Sequence, residues 1–435
     1  MTRGARLSAA IDILGDIEAR RRPAAEALKD WGLTHRFAGS GDRAAIAGLV
    51  FDALRRKASS AHVMGEETPR AILLGMLRIE RNLGPAAIAD LADGARFAPA
   101  PLSERERMHL ASPDLNNAPP WVAGDYPQWV DSHLRRTFGE DRILEAGALA
   151  TRAHLDLRVN TLKTDRHRAV ADLAHLAATP TRWSPAGLRI RRSAEDKNPA
   201  IHAEPPFIKG MVEVQDEGSQ VATLLAGIKP GEQVIDLCAG AGGKTLLLAA
   251  AMKNRGQIYA TDTDKRRLAP IHARLDRAGV HNVQVRTPKG SADPLADLEG
   301  RADLVLIDAP CTGVGTWRRN PDAKWRVRPG ALALRLREQA AALDRAAALV
   351  KPGGRIAYIT CSLLSEENED QVQAFVERRR DFSAAFPREV IKSLGEASED
   401  FAAAAMLLPA GLLLTPRRTG TDGFYVSVMV RHGQA

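Results

Sequence analysis

The sequence predicts an α/β protein, with a mostly parallel sheet in its second half behind a helical N-terminal region. Three observations carry this. From about residue 216 onward, apolar strand candidates alternate with helical stretches, the pattern of a parallel sheet covered on both faces. A glycine-rich turn, DLCAGAGGKT, joins the first of these strands to a helix. Before about residue 120, apolar positions recur at three- and four-residue intervals and nothing alternates as a strand.

Taken in order, the helical region includes AAIDILGDI, AAIAGLVFDALRR and AILLGMLRIE. The prolines between Pro99 and Pro120, with Asn116-Asn117, predict a loop-rich connector. A helical piece, YPQWVDSHLRRTF, follows. LDLRVNTLK, GLRIRR and GMVEVQ then predict short strands around a helix at ADLAHLAA, a small α+β module. The expected divisions are therefore 1–120, 121–215 and 216–435. In the last of these the strands are QVIDL, QIYAT, DLVLID, RIAYIT and FYVSVMV. Ligands of such sheets bind at the carboxyl ends of the strands.

With 435 residues the chain can hold two or three domains, and its 45% hydrophobic and 26% charged content is ordinary for a soluble protein. No stretch reaches the roughly 20 apolar residues of a membrane span, and the charge-mixed N-terminus lacks the apolar core of a secretion signal. A cytoplasmic protein is expected. The net charge of +8 suits a polyanionic partner but equally an ordinary basic protein. Cys238, Cys311 and Cys361 have no metal-ligand spacing, so no metal site is expected, and an odd, sparse set suits a reducing compartment.

The glycine turn satisfies neither common nucleotide motif. A P-loop needs glycine where Cys238 stands, and a dinucleotide fingerprint begun at Gly240 needs glycine where Thr245 stands. The next strand ends in YATDTD, placing Asp262 where an acid accepts hydrogen bonds from ribose hydroxyls. Together these features point to a nucleoside ligand without a pyrophosphate, which S-adenosylmethionine (AdoMet) satisfies.

Two cysteines follow later strands, in DAPCTG and in TCSLLSEEN. Neighbouring strand ends would bring Cys311, Cys361 and Asp308 into one cleft. Methylation at carbon 5 of a pyrimidine needs such equipment. A thiolate adding to C6 makes C5 nucleophilic enough to take a methyl group from a sulfonium. An acid stabilises N3 as charge builds, a role for Asp308 if it is protonated or shares a proton. A second thiol can assist loss of the C5 proton and expulsion of the thioether. The chemistry alone does not choose which thiol attacks.

DLCAGAGGKT, DAPCTG with RRNPDAKW, TCSLLSEEN, VQDEGSQ (Val214 to Gln220) and DGFYVSV, in that family's order across residues 155–435, resemble the Sun/Fmu family of RNA cytosine-C5 methyltransferases. The resemblance implies a Rossmann-like AdoMet-dependent domain, with Cys361 as nucleophile and Cys311 aiding product release. It implies AdoMet contacts from Cys238, Ala239, Gly240, Ala241, Gly242, Gly243, Lys244 and Asp262, with Asp308 between cofactor and cytosine. Gln215 and Asp216 are expected to be structural. The sequence departs from the family at Ala241, where a proline is usual. It departs again after the third strand, where the family's acid near the adenine is matched by Thr287 or Lys289.

The helical region followed by YPQWVDSHLRRTFGED and LRVNTLK resembles the arrangement of small-subunit ribosomal RNA methyltransferases B, where a NusB-like RNA-binding domain precedes the catalytic part. AAIAGLVFDALRRKASS resembles that domain's central helix. Arg318, Arg319, Lys324 and Trp325, close behind the Pro-Cys motif, have the chemistry to clamp phosphates and stack on a flipped base. The partner expected is RNA, ribosomal first, with a monomeric enzyme. Transfer RNA, large-subunit RNA and a non-catalytic RNA-binding assembly factor remain as alternatives.

Overall fold

A computed structural model describes residues 1–191, 199–288, 290 and 292–433. The described residues form two compact units: Met1–Arg152 with Trp317–Arg328 packed into it, and the remainder.

The first unit is helical. Helix Arg3–Arg20 starts at Thr2, whose hydroxyl accepts from Ala5 N at 3.1 Å, and buries Leu7, Ala10, Ile13, Leu14 and Ile17 along one face. The segment AAIAGLVFDALRRKASS spans two helices, Ser40–Arg55 and Lys57–Met64, and the most enclosed helix is instead Pro69–Ile79. Thr68 caps it, Pro69 opens it, and every residue from Ala71 to Leu77 is buried. Such all-round burial stabilises each large apolar side chain by about 1.5–3 kcal/mol. Helices continue past the expected boundary near residue 120 to Arg142–Leu149, because Leu134, Ala146 and Leu149 bury their side chains and Arg142 Nε holds Asp131 at 2.9 Å.

The segment Trp317–Arg328 corrects an expectation. Lys324 is buried, its ammonium donating to the carbonyls of Arg55 at 3.0 Å and Asp125 at 2.5 Å. Burial pushes it down to about 7. Trp325 Nε1 donates to Leu54 O at 2.7 Å, and its ring joins the helical core. Arg318 is buried, with its carbonyl accepting from Arg55, and Arg319 is half-buried. Donors and ring faces engaged inside the helical unit are not an exposed clamp for RNA; Lys324, Trp325 and Arg318 pack this unit together.

The second unit contains two sheets. β1 (Leu155–Val159), β2 (Thr179–Pro180), β3 (Gly187–Ile190) and β4 (Val212–Val214) form an antiparallel sheet ordered β2-β3-β1-β4, with helix Arg166–Asp172 in the same module. The larger sheet comprises β5 (Gln233–Asp236), β6 (Gln257–Ala260), β7 (Val283–Val285), β8 (Ala302–Asp308), β9 (Val350–Thr360), β10 (Phe382–Ala384), β11 (Met406–Leu408), β12 (Gly411–Leu414) and β13 (Phe424–Arg431). Its order is β11-β12-β13-β9-β8-β5-β6-β7, with β10 paired to β13. The five strands from β9 to β7 run parallel; β13 is antiparallel to β9. Val234, Ile235, Leu304 to Ile307 and Ile356 to Ile359 are inaccessible to solvent, as strands covered on both faces require. The chain passes from β5 outward to β6 and β7 and returns to β8 on the other side of β5. This reversal opens a crevice beyond the strand ends.

Candidate active site

The turn after β5 lies at that crevice. Gly242 has φ +83°, and a Cβ there would meet Ile271 Cγ1 at 2.5 Å, so only glycine fits. Helix Gly243–Ala251 follows directly, aiming its first N–H groups toward the loop. Asp262 closes the turn: Oδ2 accepts from Gly240 N and Oδ1 from Asp264 N, both at 2.9 Å. The Ala241 carbonyl accepts from Arg274 Nη1 at 2.8 Å, a restraint on the loop at the position where the proline is absent. Arg274 also holds Glu213 of β4 at 3.0 Å, linking the smaller sheet to the turn.

Beside the turn is a cleft of about 860 Å³, lined by Leu237, Cys238, Asp262, Asp293, Leu295 and Pro310 among others. This is the size and mixed character of a small-molecule site. The Cys238 thiol is raised well above its ordinary range, by burial first and then by Asp236, Asp308 and Asp262. Thr287 is exposed, and Lys289 lies outside the described residues. An acid does reach the cleft, further along the same connection: Asp293, held by Arg345 of helix Pro329–Leu349. Arg345 in turn pairs with Glu299 at 3.0 Å. Sequence reasoning missed Asp293 because it sits four residues beyond Lys289, outside any fixed spacing.

The two later cysteines meet. β8 and β9 are parallel neighbours, so the turns after them emerge side by side, and Cys311 Sγ lies 3.4 Å from Cys361 Sγ. Both are free and half-buried. Main-chain bonds lock the turns together: Ala309 N donates to Ile359 O, Gly315 N to Cys361 O, and Gly423 N to Gly315 O. Gly315 needs its lack of side chain, since a Cβ would lie 2.2 Å from the Gly423 carbonyl oxygen. Thr360, Ser362 and Asn368 brace the far side, with Thr360 Oγ1 donating to Asn368 Oδ1 at 2.6 Å and Asn368 Nδ2 to Ser362 O at 3.0 Å. Asp308, the last residue of β8, accepts from Lys244 Nζ at 2.7 Å. Lys244 is buried and also faces the Phe424 ring.

Two further buried carboxyls were not legible as site residues. Asp236, at the end of β5, accepts from Thr245 Oγ1 at 2.7 Å and is pushed up to about 7, chiefly by burial. Because its folded value is raised above the unfolded one, the folded state keeps a proton that the unfolded chain loses. Its contribution to stability is therefore fully present below about pH 4 and falls as pH rises to about 7. Asp236→Asn is expected to flatten this loss: between pH 5 and 8 the melting temperature of the ligand-free variant should fall by several degrees less than that of the parent. Equal slopes would show that Asp236 titrates as an ordinary carboxyl. The second carboxyl, Glu367, is wholly buried behind the cysteine turns.

VQDEGSQ is largely internal, with Val214 exposed and Gln215, Glu217 and Gln220 buried. Gln215 accepts from Arg158 Nε at 2.6 Å, Asp216 Oδ2 from Gly218 N at 2.7 Å and Asp422 N at 3.1 Å, and Glu217 from Trp183 N and Ser184 N. These side chains join the smaller sheet to the DGFYVSV strand. Among the described residues no group of His, Cys, Asp and Glu is arranged to hold a metal ion, and no helix is long and apolar enough to cross a membrane.

The chain matches the profile of the family described as 16S rRNA methyltransferase RsmB/F over residues 222–430, and that of the RsmF/B-like ferredoxin-like domain over 126–195. It is 34% identical over 310 residues to the "Probable ribosomal RNA small subunit methyltransferase B" of Synechocystis sp., across 69% of this chain and 66% of that protein. It is 30% identical over 423 residues to the ribosomal RNA small subunit methyltransferase B of Sodalis glossinidius, across 91% of each. A solved methyltransferase homolog from Pyrococcus horikoshii superimposes with a TM-score of 0.57 at 28% identity, covering 72% of this chain and 97% of that one. With the glycine cradle, the cleft and the paired cysteine turns in place, the chain belongs to the RsmB/F family of AdoMet-dependent ribosomal RNA methyltransferases.

Proposed function

We propose that this protein methylates carbon 5 of a cytosine in small-subunit ribosomal RNA, through covalent attack by Cys361. The observation that carries the reading is the pair of thiols 3.4 Å apart at adjacent strand ends, beside the Lys244–Asp308 pair. Cys361 Sγ bonds to C6 of the cytosine, and the electron pair released across the ring makes C5 nucleophilic. When bound, AdoMet supplies a methyl group activated by its sulfonium. Lys244 and Asp308, sharing one proton, offer the donor that stabilises N3 as charge develops. As water takes the C5 proton and the pair of that C–H bond re-forms the C5–C6 double bond, the thioether is expelled and Cys311 donates an S–H hydrogen bond to the departing Cys361 sulfur.

Residues 238–244, with Asp262 and Asp308, would hold the cofactor, and the turn accommodates it as read from the Gly242 cradle and the 860 Å³ cleft. Each Asp262 oxygen keeps a lone pair beyond its main-chain bond, available to ribose hydroxyls. Asp293, which lines the same cleft, would take the place of the family's acid and accept from the adenine amino group. Asp293→Ala is then expected to weaken AdoMet binding about tenfold by calorimetry, the worth of one hydrogen bond to a charged group. An unchanged Kd would remove Asp293 from the site. The helical region is proposed as a NusB-like RNA-binding domain, and the smaller sheet as a second RNA contact.

Bisulfite sequencing of total RNA from cells with and without the gene tests the reading. Loss of one protected cytosine in small-subunit ribosomal RNA is the expected result. Loss in transfer RNA or large-subunit RNA would keep the chemistry and reassign the substrate. No lost cytosine in any RNA would reject catalysis.

A further inference from the structure

The proposed mechanism leaves one wholly buried charge unused. Glu367 stands behind the two cysteine turns with no accessible surface. Its Oε1 accepts from Thr312 N at 2.8 Å and Gln339 Nε2 at 3.1 Å, and its Oε2 from Thr312 Oγ1 at 2.5 Å. Gln339 Nε2 also reaches Pro310 O at 2.9 Å. The carboxylate thus grips Thr312 directly and Pro310 through Gln339, the residues on the two sides of Cys311. All these partners are neutral donors, so its charge is hydrogen-bonded but not cancelled. A carboxylate in so dry a place acts on a neighbouring thiol far more strongly than it would in water.

We propose that Glu367 is a positioning residue that keeps the proton of the thiol pair on Cys311, and so leaves Cys361 as the sulfur that attacks. This rests on the covalent reading above and supplies what the chemistry alone left open, the choice between two thiols. Among the described residues, the Cys361 sulfur, Glu367 and the buried Tyr358, whose hydroxyl donates to Glu367 O at 2.7 Å, act on Cys311; Asp308 and Lys244 form their own pair upstream. The Cys311 thiol is held well above its ordinary range by its hydrogen bond to Cys361 first, then by burial and the charges of Cys361 and Glu367. The proton balance is simple. Cys311 keeps its proton and donates it as a hydrogen bond to the Cys361 thiolate. Cys361 spends its free electron pair on the bond to C6. On release a water molecule takes the C5 proton, the pair of that C–H bond re-forms the C5–C6 double bond, the C6–S bond breaks with its pair returning to Cys361, and the same Cys311 S–H stabilises the departing thiolate.

The test is alkylation by iodoacetamide of the full-length protein, without RNA or cofactor, followed for each cysteine peptide by mass spectrometry from pH 6 to 10. In the parent, Cys361 is expected to react first and Cys311 only at high pH. Glu367→Gln keeps the shape and removes the charge. It should lower the Cys311 midpoint by about one pH unit, which is about tenfold faster labelling at a fixed pH below that midpoint. Glu367→Asp, which restores the charge, should return the midpoint toward the parent value. If Glu367→Gln fails to fold, Gln339→Met serves instead: it removes one neutral donor from the carboxylate and should move the Cys311 midpoint upward. Unchanged midpoints in a folded variant overturn the proposal and leave Glu367 as a brace only. Trapping of the parent on 5-fluorocytosine RNA, run in parallel, separates the two failures. Trapping with unresponsive midpoints defeats the Glu367 proposal alone, whereas no trapping defeats the covalent reading.

Discussion

Replacing Cys361 by alanine is expected to abolish both methyl transfer and covalent trapping, while the protein stays folded. The side chain follows β9 and is half-buried at the margin of the large core, so an alanine there keeps the Cβ contacts and gives up only those of one sulfur. The effect on rate should be far larger. Without addition at C6, carbon 5 of cytosine has almost no nucleophilicity, and neither proton transfer nor binding can replace the missing bond. Loss of a covalent nucleophile in enzymes commonly costs about 10⁴- to 10⁶-fold. Incubation with 5-fluorocytosine RNA and AdoMet checks this directly. The parent should give a band of lowered mobility on a denaturing gel, and the Cys361→Ala variant none. A variant that still forms the adduct would assign the attack to Cys311.

Cys311→Ala should behave differently. Attack and methyl transfer need only Cys361, so the adduct forms; expulsion loses its hydrogen-bond donor, so the adduct persists on ordinary cytosine RNA. Turnover is expected to fall by about 10²- to 10⁴-fold, the usual worth of a positioned proton-transfer group. The diagnostic is the opposite sign of the two variants on one gel: no adduct for Cys361→Ala, accumulated adduct for Cys311→Ala. If neither accumulates adduct, Cys311 acts before the covalent step. The double variant should resemble Cys361→Ala alone, since a step that never begins cannot be arrested later.

The strands that build the site were legible because each is an apolar run long enough to be recognised without its neighbours. QVIDL, QIYAT, DLVLID, RIAYIT and FYVSVMV correspond to β5, β6, β8, β9 and β13. The short strands β10, β11 and β12, beyond the parallel part of the sheet, have no counterpart among the sequence-predicted strands. The Pro-Cys motif invited a second misreading. Arg318, Lys324 and Trp325 follow Cys311 within 14 residues, but nearness in sequence is not nearness to the reacting base. In the structure Lys324 and Trp325 donate to carbonyls of the helical unit and the Arg318 carbonyl accepts from Arg55, which a composition of Arg, Lys and Trp does not distinguish from an RNA clamp.

By itself the sequence determined the mostly parallel sheet, the glycine turn, and the placing of Asp262, Asp308, Cys311 and Cys361 each just beyond or at a strand end. These depend on local pattern, the alternation of apolar strand and helix with glycine where the backbone must turn tightly. Long-range packing brings the two sulfurs together at 3.4 Å, seats Lys244 on Asp308, carries Asp293 to the cleft and buries Glu367 behind Cys311. Those pairs are separated by many residues or by an irregular connection. Their meeting is set by which strands are neighbours and by how loops cross their ends, and no local periodicity encodes either.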